Sequence, residues 1–115
     1  MNKNYEDLAN AIVAQAFDDY APTCVRIIRI QRRLELAREA YNAAKAECNA
    51  AAKKVKKAER RVLRQQDLLI SAEYEKQSIE EFFKSEWLNV LTKIDGDYLL
   101  QEAMKKAKKR VEKLK

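Results

Sequence analysis

The sequence IQRRLELAREAYNAAKAECNAAAKKVKKAERRVLRQQDLLISA, residues 30–72, decides the fold of this chain. Apolar and small residues recur along it at alternating spacings of three and four. The repeated positions are Ile30, Leu34, Ala37, Tyr41, Ala44, Cys48, Ala51, Val55, Ala58 and Val62, followed after a polar Gln65 by Leu69 and Ala72. This heptad pattern is typical of α-helices that pack side by side along a seam. Because neither Gly nor Pro occurs from Thr23 to Asp95, we predict long helices and an all-α coiled coil.

Two arrangements of these helices are consistent with the pattern. In the first, the chain turns near Glu47-Cys48-Asn49-Ala50, because Asn49 suits the left-handed conformation found at helix ends. In the second, one helix of about 70 residues runs roughly 105 Å and is completed by a partner chain. The turn would lie midway between helix ends at residues 4 and 94, which favours the hairpin. The heptad phase continues through the turn, which favours the long helix.

We predict the antiparallel hairpin, as a single helical domain over residues 1–115. The first arm covers residues 4–48, and Pro22 either kinks it or begins a new helix there. The second arm covers residues 50–94. Residues 97–114 form a short C-terminal helix, packed at the open end, and a basic tail that we expect to be frayed.

A core of large apolar side chains is predicted where the two arms end. In the first arm, Leu8, Ile12, Ala16 and Tyr20 would share one face, with Val13 beside it. The other predicted core residues are Phe17, Phe82, Phe83, Trp87, Tyr98 and Leu99. We expect Gly96 to adopt a positive φ at the helix end, and Asp97 or Asp95 to cap the helix that follows.

The composition excludes several classes of chemistry. The chain of 115 residues contains one Gly, one Pro and no His. Sheet-rich folds need turn residues about every ten positions, and most nucleophile triads and zinc sites need His. Cys24 and Cys48 form no CxxC pair, so we expect reduced cysteines packed between helices. We therefore predict a protein that is not an enzyme and holds no cofactor or metal.

The net charge of +6 is unevenly distributed. Residues 105–115 carry seven basic residues and Glu112, whereas residues 1–104 are neutral overall. Within that neutral part, residues 26–66 carry 13 basic and 4 acidic residues. The candidate binding residues are Arg26, Arg29, Arg32, Arg33, Lys53, Lys54, Lys56, Lys57, Arg60, Arg61, Arg64, Lys105, Lys106, Lys108, Lys109 and Arg110.

These basic residues have three interpretations. They are solvated faces of long helices, a stripe that binds phosphates, or a surface that binds an acidic protein partner. The second follows because clustered Lys and Arg attract a polyanion and release its counterions. No aromatic residue lies among the basic cluster, so the sequence gives little support for base stacking on a single strand. No helix-turn-helix, zinc-finger or RNA-binding signature is present either.

Two segments carry a resemblance to a known group of proteins. The first is Glu81-Phe82-Phe83-Lys84-Ser85-Glu86-Trp87-Leu88, followed by Leu91 to Leu99 with its Asp95-Gly96-Asp97-Tyr98-Leu99 turn; the second is Ala11-Ile12-Val13 with Gln15-Ala16 and Asp19-Tyr20. This pattern resembles small helical proteins encoded by phages and prophages of Gram-positive bacteria. The resemblance implies a mobile-element origin and a helical core, but no reaction. The heptad segment in the middle departs from the pattern, which has a short linker there.

The sequence therefore predicts a non-enzymatic phage or mobile-element protein that binds nucleic acid or a nucleoprotein through a basic helical surface. One alternative is an inhibitor of a host defence nuclease such as a CRISPR effector. Another is a structural coiled-coil assembly protein, with a homodimer as its simplest form. No secretory signal opens the chain and no apolar run approaches about 18 residues, so we expect a cytoplasmic protein that neither spans a membrane nor acts on a small-molecule substrate.

Overall fold

The structure is a computed structural model that describes residues 3–47 and 51–114. Over these ranges the chain forms four helices and no strand, which confirms the all-α prediction. The helices are α1 (Lys3–Ala46), α2 (Ala52–Lys84), α3 (Glu86–Leu91) and α4 (Gly96–Glu112). The residues group into two compact units, of which unit 1 contains Met1–Val25 with Tyr74–Lys115 and unit 2 contains Arg26–Glu73.

In unit 2, α1 and α2 pack against each other in opposite directions. Ile27 and Ile30, early in this part of α1, form a buried cluster with Ala72 from the late part of α2. Glu47, directly after α1, forms a 3.0 Å ion pair with Lys54 in the first turn of α2. The chain therefore folds back on itself. This confirms the hairpin and shows that a single helix through residues 23–94 is wrong.

The predicted turn itself falls on residues that the structure does not describe. Cys48, Asn49 and Ala50 lie outside the described ranges, so the choice of Asn49 as the turn residue stays a prediction. Glu47 and Ala51, on either side of them, are exposed and are not helical.

The heptad positions form the seam of unit 2. Ile30, Leu34 and Ala44 are buried on α1, and Ala72 is buried on α2. Six further seam positions are partly buried, namely Ala37, Tyr41, Val55, Ala58, Val62 and Leu69, whereas Ala51 at the end of the hairpin is exposed. A seam of many small residues lets two helix backbones approach closely. The spacing in the sequence therefore identified the packed faces of both helices.

Unit 1 has a separate core, to which four helical segments contribute. Val13, Tyr20 and Ala21 come from α1, Phe83 from the end of α2, and Leu88 from α3. The buried residues of α4 are Leu100, Ala103 and Ala107. The predicted short C-terminal helix thus packs against both long helices. Because Ala103 and Ala107 anchor it, α4 continues to Glu112 instead of fraying after Met104.

The buried face of α1 in unit 1 differs from the predicted one. Ala9 and Val13 are buried with Tyr20, whereas Leu8 and Ile12 are exposed. Residues four apart on an α-helix are offset by about 40°. Three such spacings separate Leu8 from Tyr20, so the two side chains point about 120° apart and do not share the buried face. Counting back from Tyr20, which is only 2% exposed, that face includes Ala9 instead of Leu8.

Helix α1 continues through Pro22, so the interpretation that a new helix begins there is wrong. Proline lacks the N–H group that would bond the carbonyl of Asp18 four residues earlier. The next residue, Thr23, is buried, and its hydroxyl donates a 2.8 Å hydrogen bond to the carbonyl oxygen of Asp19.

The second arm, predicted as one helix over residues 50–94, is interrupted at Ser85. Its backbone is extended, with φ −81° and ψ 158°, and α2 ends at the residue before it. The Ser85 hydroxyl donates a 2.6 Å hydrogen bond to the carbonyl oxygen of Phe82. Serine side chains compete in this way with the helical hydrogen bonds of the backbone.

Trp87 and Tyr98 were predicted in the core, and the structure contradicts both. Trp87 is 71% exposed and Tyr98 is 56% exposed. After the interruption at Ser85, α3 buries Leu88, and Trp87, one residue earlier, points about 100° away from it. On α4 the buried position is Leu100, and Tyr98 points roughly 200° away from that residue.

The other predicted core residues lie where expected. Phe83 is buried, and Phe17, Phe82 and Leu99 are partly buried against the same cluster. The rings of Phe82 and Phe83 meet edge to face, with centroids 5.7 Å apart. This geometry is favourable for aromatic pairs.

Gly96 is essential for a different reason from the predicted one. No glycine in the described ranges has a positive φ, so that expectation is wrong. Gly96 is buried at the start of α4, where a Cβ atom would overlap the carbonyl oxygen of Phe83 and the side chain of Leu88. Asp95 caps the helix by accepting a 3.1 Å hydrogen bond from the N–H of Asp97. Glycine is therefore required here by close approach of the backbones.

We expect Gly96→Ala to lower the free energy of unfolding by about 2 kcal/mol, because the added methyl group overpacks a buried contact. The measurement is urea unfolding followed by circular dichroism. Gln101→Ala, at an exposed position of α4, is the control and should change stability by less than about 0.5 kcal/mol. Equal stabilities of the two variants would contradict the close contact at Gly96.

We expect the two aromatic residues Phe83 and Trp87 to differ sharply in their contribution to stability. Phe83→Ala should cost about 3–5 kcal/mol because it opens a cavity in the core of unit 1. Trp87→Ala should cost less than about 1 kcal/mol because the side chain is exposed. Urea unfolding of both variants tests this, and a larger loss for Trp87→Ala would show that the orientation of α3 is wrong.

Candidate functional site

The structure places all sixteen candidate binding residues at exposed positions. Eleven of them, from Arg26 to Arg64, belong to unit 2, and the five from Lys105 to Arg110 belong to α4 in unit 1.

Unit 2 carries most of the positive charge of the chain. It contains 13 basic and 6 acidic residues, which gives a net charge of +7. Unit 1 contains 11 basic and 12 acidic residues, which gives −1, so the basic residues of α4 are balanced within their own unit. The positive charge of the chain is therefore concentrated on unit 2.

Two of the five basic residues on α4 already have partners within unit 1. Lys105 forms a 3.2 Å ion pair with Glu102. Lys106 lies 3.9 Å from a carboxylate oxygen of Asp18 and 5.7 Å from the centre of the Phe17 ring. The first pair lies within α4 and the Lys106 contacts join α4 to α1, so both explain part of the basic sequence of α4 without a ligand.

Three arginines of unit 2 meet around one groove. Arg33 comes from α1, while Arg61 and Arg64 come from α2, and together they line an open cavity of about 440 Å³. The remaining lining residues are Leu36, Ala37, Ala40, Ala58 and Gln65. We call this cavity the basic groove. Its rim is cationic, and its floor consists mainly of small apolar side chains.

Among the described residues, the three guanidinium groups of the basic groove have no carboxylate partner. Across the two described ranges, no ion pair involves Arg33, Arg61 or Arg64. Each guanidinium presents five N–H donors in a planar arrangement that matches the oxygens of a phosphate group. The groove can therefore bind an anion without first breaking an internal ion pair.

Basic residues spaced four apart extend the cationic rim along both helices. Arg29 precedes Arg33 by four residues on α1, and Lys57 precedes Arg61 by four on α2. Residues four apart lie next to one another on a helix surface. We call these five residues the basic flank: Arg29, Arg33, Lys57, Arg61 and Arg64. Lys54 continues it but is paired with Glu47.

The other side of the seam in unit 2 has a different character. A second groove of about 490 Å³ is lined there by Glu35, Glu39 and Arg38, among other residues. Its lining residues from α1 fall on the opposite edge of the seam from those of the basic groove, as the 100° rotation per residue requires. Because Glu35 and Glu39 offset Arg38 there, this second groove has no cationic excess like that of the basic groove.

Sequence reasoning found the arginines but missed the groove that they form. The convergence of Arg33 with Arg61 and Arg64 depends on the register of the hairpin. Leu36 and Ala40 were not singled out because they lie outside the heptad positions. The sequence showed Gln65 only as a polar break in the seam, and a polar residue within an apolar repeat was the one signal that pointed to this place.

A small group of titratable side chains lies in unit 1, at the partly buried Cys24. The Tyr20 hydroxyl donates a 3.3 Å hydrogen bond to the Glu80 carboxylate. Burial, followed by the nearby Cys24 and Glu80, raises the pKa of Tyr20 well above its usual range. Burial also raises the pKa of the Cys24 thiol, although the nearby Lys76 ammonium acts in the opposite direction. Both groups therefore remain protonated at neutral pH, and the thiol is not activated as a nucleophile.

Comparisons with protein-family models, with curated proteins and with solved structures find no match for this chain. The resemblance to phage-encoded helical proteins stays a prediction. None of the helices, as far as they are described, is long and apolar enough to cross a membrane.

We expect Cys24 to react slowly with alkylating reagents. In a Cys48→Ser variant, which leaves one thiol, iodoacetamide at pH 8 should modify Cys24 at least about tenfold more slowly than free cysteine, because a raised pKa lowers the thiolate fraction. The rate should rise as the pH increases through the raised pKa, and unfolding in urea should abolish the difference. A rate equal to that of free cysteine in the folded protein would contradict the buried, protonated thiol.

Proposed function

We propose that this chain is a non-enzymatic nucleic-acid-binding protein that contacts phosphate groups through the basic flank of unit 2. The observation that carries the proposal is the convergence of Arg33, Arg61 and Arg64 from two helices, with no acidic partner among the described residues. The net charge of +7 on the same unit supports it.

A cluster of three arginines suits a ligand that carries phosphate groups. A guanidinium binds two phosphate oxygens at once, and three such groups on a rigid pair of helices can contact neighbouring phosphates. The seam fixes the two helices relative to each other within unit 2, so the backbone positions that carry the arginines are set before the ligand arrives. This arrangement reduces the entropy lost on binding.

The dimensions of unit 2 agree with a phosphate backbone as the ligand. The part of α1 within it, residues 26–46, is about 30 Å long at about 1.5 Å per residue. One helical turn of duplex DNA is comparable, at about 34 Å. Contacts from Arg and Lys to phosphate carry no sequence information, so we expect sequence-independent binding with a Kd of about 10⁻⁴ to 10⁻⁶ M.

Salt dependence provides the first test. If about four phosphates are neutralised, the plot of log K against log salt concentration has a slope of roughly −3.6, and affinity falls about 10²-fold between 50 and 200 mM salt. Fluorescence anisotropy with a labelled 12-base-pair duplex measures this. Binding that is independent of salt would exclude a phosphate-dominated interface.

Matched variants provide the second test. Arg61→Gln combined with Arg64→Gln removes two cations from the basic flank and should flatten the salt slope by about 2, with at least about tenfold weaker binding at 50 mM salt. Arg38→Gln combined with Lys45→Gln removes the same charge from unit 2 but outside the basic flank. This control pair should weaken binding by less than about threefold. Equal losses would show that overall charge, and not the basic flank, determines binding.

A further inference from the structure

We propose that the basic groove holds one unpaired nucleotide of a single-stranded nucleic acid, with the phosphate on the arginines and the base on the apolar floor. This inference rests on the proposed function, and it adds a ligand class to it. A simple phosphate contact needs only the rim of the groove. The apolar floor and the Gln65 side chain indicate a ligand that also has a flat apolar part and a hydrogen-bond donor.

The floor of the groove suits a flat apolar group. Ala40 is exposed on the α1 side, and Ala58 is partly buried on the α2 side. Because these side chains are small, they leave a concave space of about 440 Å³ between the arginines, which is within the range typical of ligand pockets. A paired base in a duplex is stacked between its neighbours and cannot enter this space, whereas an unpaired base can.

Gln65 distinguishes a nucleotide from a simple anion. Its side chain lines the groove, and its Oε1 atom is buried without a hydrogen-bond partner in the described part of the chain. A buried acceptor without a partner is unfavourable, so rotation of the Gln65 amide towards a donor in the groove would be favourable. Phosphate and sulfate oxygens are themselves acceptors, so they cannot satisfy Oε1. Every nucleobase carries an amino group or a ring N–H that can donate to it.

The arginines can replace the aromatic residues that the basic cluster lacks. Bases of single strands stack on guanidinium planes as well as on aromatic rings. With Arg33 on one helix and Arg61 and Arg64 on the other, one guanidinium can lie against the base while the others bind the phosphate. The groove would contact one base, through a hydrogen-bond donor that every nucleobase has. We therefore expect a preference for single strands without a strong sequence preference.

The test compares three 12-nucleotide ligands of DNA at 100 mM salt by fluorescence anisotropy. They are a single strand of mixed sequence, the corresponding duplex, and a base-free strand with the same phosphates. We expect the normal single strand to bind at least about fivefold more tightly than the duplex and about tenfold more tightly than the base-free strand. A single strand of RNA in parallel shows whether the sugar matters, since the chemistry of base and phosphate is shared.

Two substitutions locate the effect in the groove. Gln65→Leu removes the acceptor, and Ala40→Leu fills the exposed side of the floor; both should reduce the ratio between normal and base-free strands from about tenfold to below about threefold. Ala43→Leu places the same side chain at an exposed position of α1 outside the groove and should leave the ratio unchanged. Thermal unfolding by circular dichroism verifies that each variant is folded.

The outcomes separate this inference from the proposed function. If the normal and base-free strands bind equally well and both respond to salt, phosphate binding stands and the nucleotide site is wrong. If the base contributes but Ala40→Leu and Ala43→Leu behave alike, the site is not the basic groove, and the inference is again wrong. If no oligonucleotide binds in a salt-dependent manner, both proposals fail.

Discussion

Close packing of α1 against α2 along the heptad seam is the constraint on which the structure of unit 2 depends. The seam consists of aliphatic residues such as Ile30 and Leu34 together with many alanines. Burial of apolar surface stabilises the pair, and the small side chains let the backbones approach each other. The same packing fixes the register, and the register determines which charged residues of one helix lie beside which residues of the other. The basic groove is therefore a consequence of the apolar seam.

Unit 1 depends on a different kind of contact. Its core is built from larger side chains, and it closes where the backbone at Gly96 approaches Phe83. The interruption at Ser85 ends α2 and gives α3 a new orientation, which lets Leu88 enter the core. Within unit 1 the chain changes direction where short polar side chains bond to the backbone: the Ser85 hydroxyl donates to the Phe82 carbonyl, and the Asp95 carboxylate accepts from the N–H of Asp97. These are local interactions with consequences for the packing of the whole unit.

The division into two units also changes how the charge of the chain is understood. Counted along the sequence, residues 1–104 are neutral and the excess lies in the basic tail. Counted by structural unit, the tail is balanced within unit 1, and unit 2 carries +7. The difference arises because unit 1 combines the basic residues of α4 with acidic residues from both ends of the chain. Charge patterns along a helical hairpin are therefore informative only once it is known which segments pack together.

The sequence by itself determined the helical fold, most of the seam positions and the exposed basic residues, because these follow from the periodicity of an α-helix and the scarcity of Gly and Pro. It favoured the hairpin by symmetry, but its continuous heptad phase was also consistent with one long helix. It did not determine the exposure of Trp87 and Tyr98, the role of Gly96, or the meeting of Arg33 with Arg61 and Arg64. Each of these depends on where a helix begins and on its register against a neighbour, and a change of one residue in either rotates a side chain by about 100°. Only the tertiary structure decides such relations, because they depend on contacts between residues far apart in the chain.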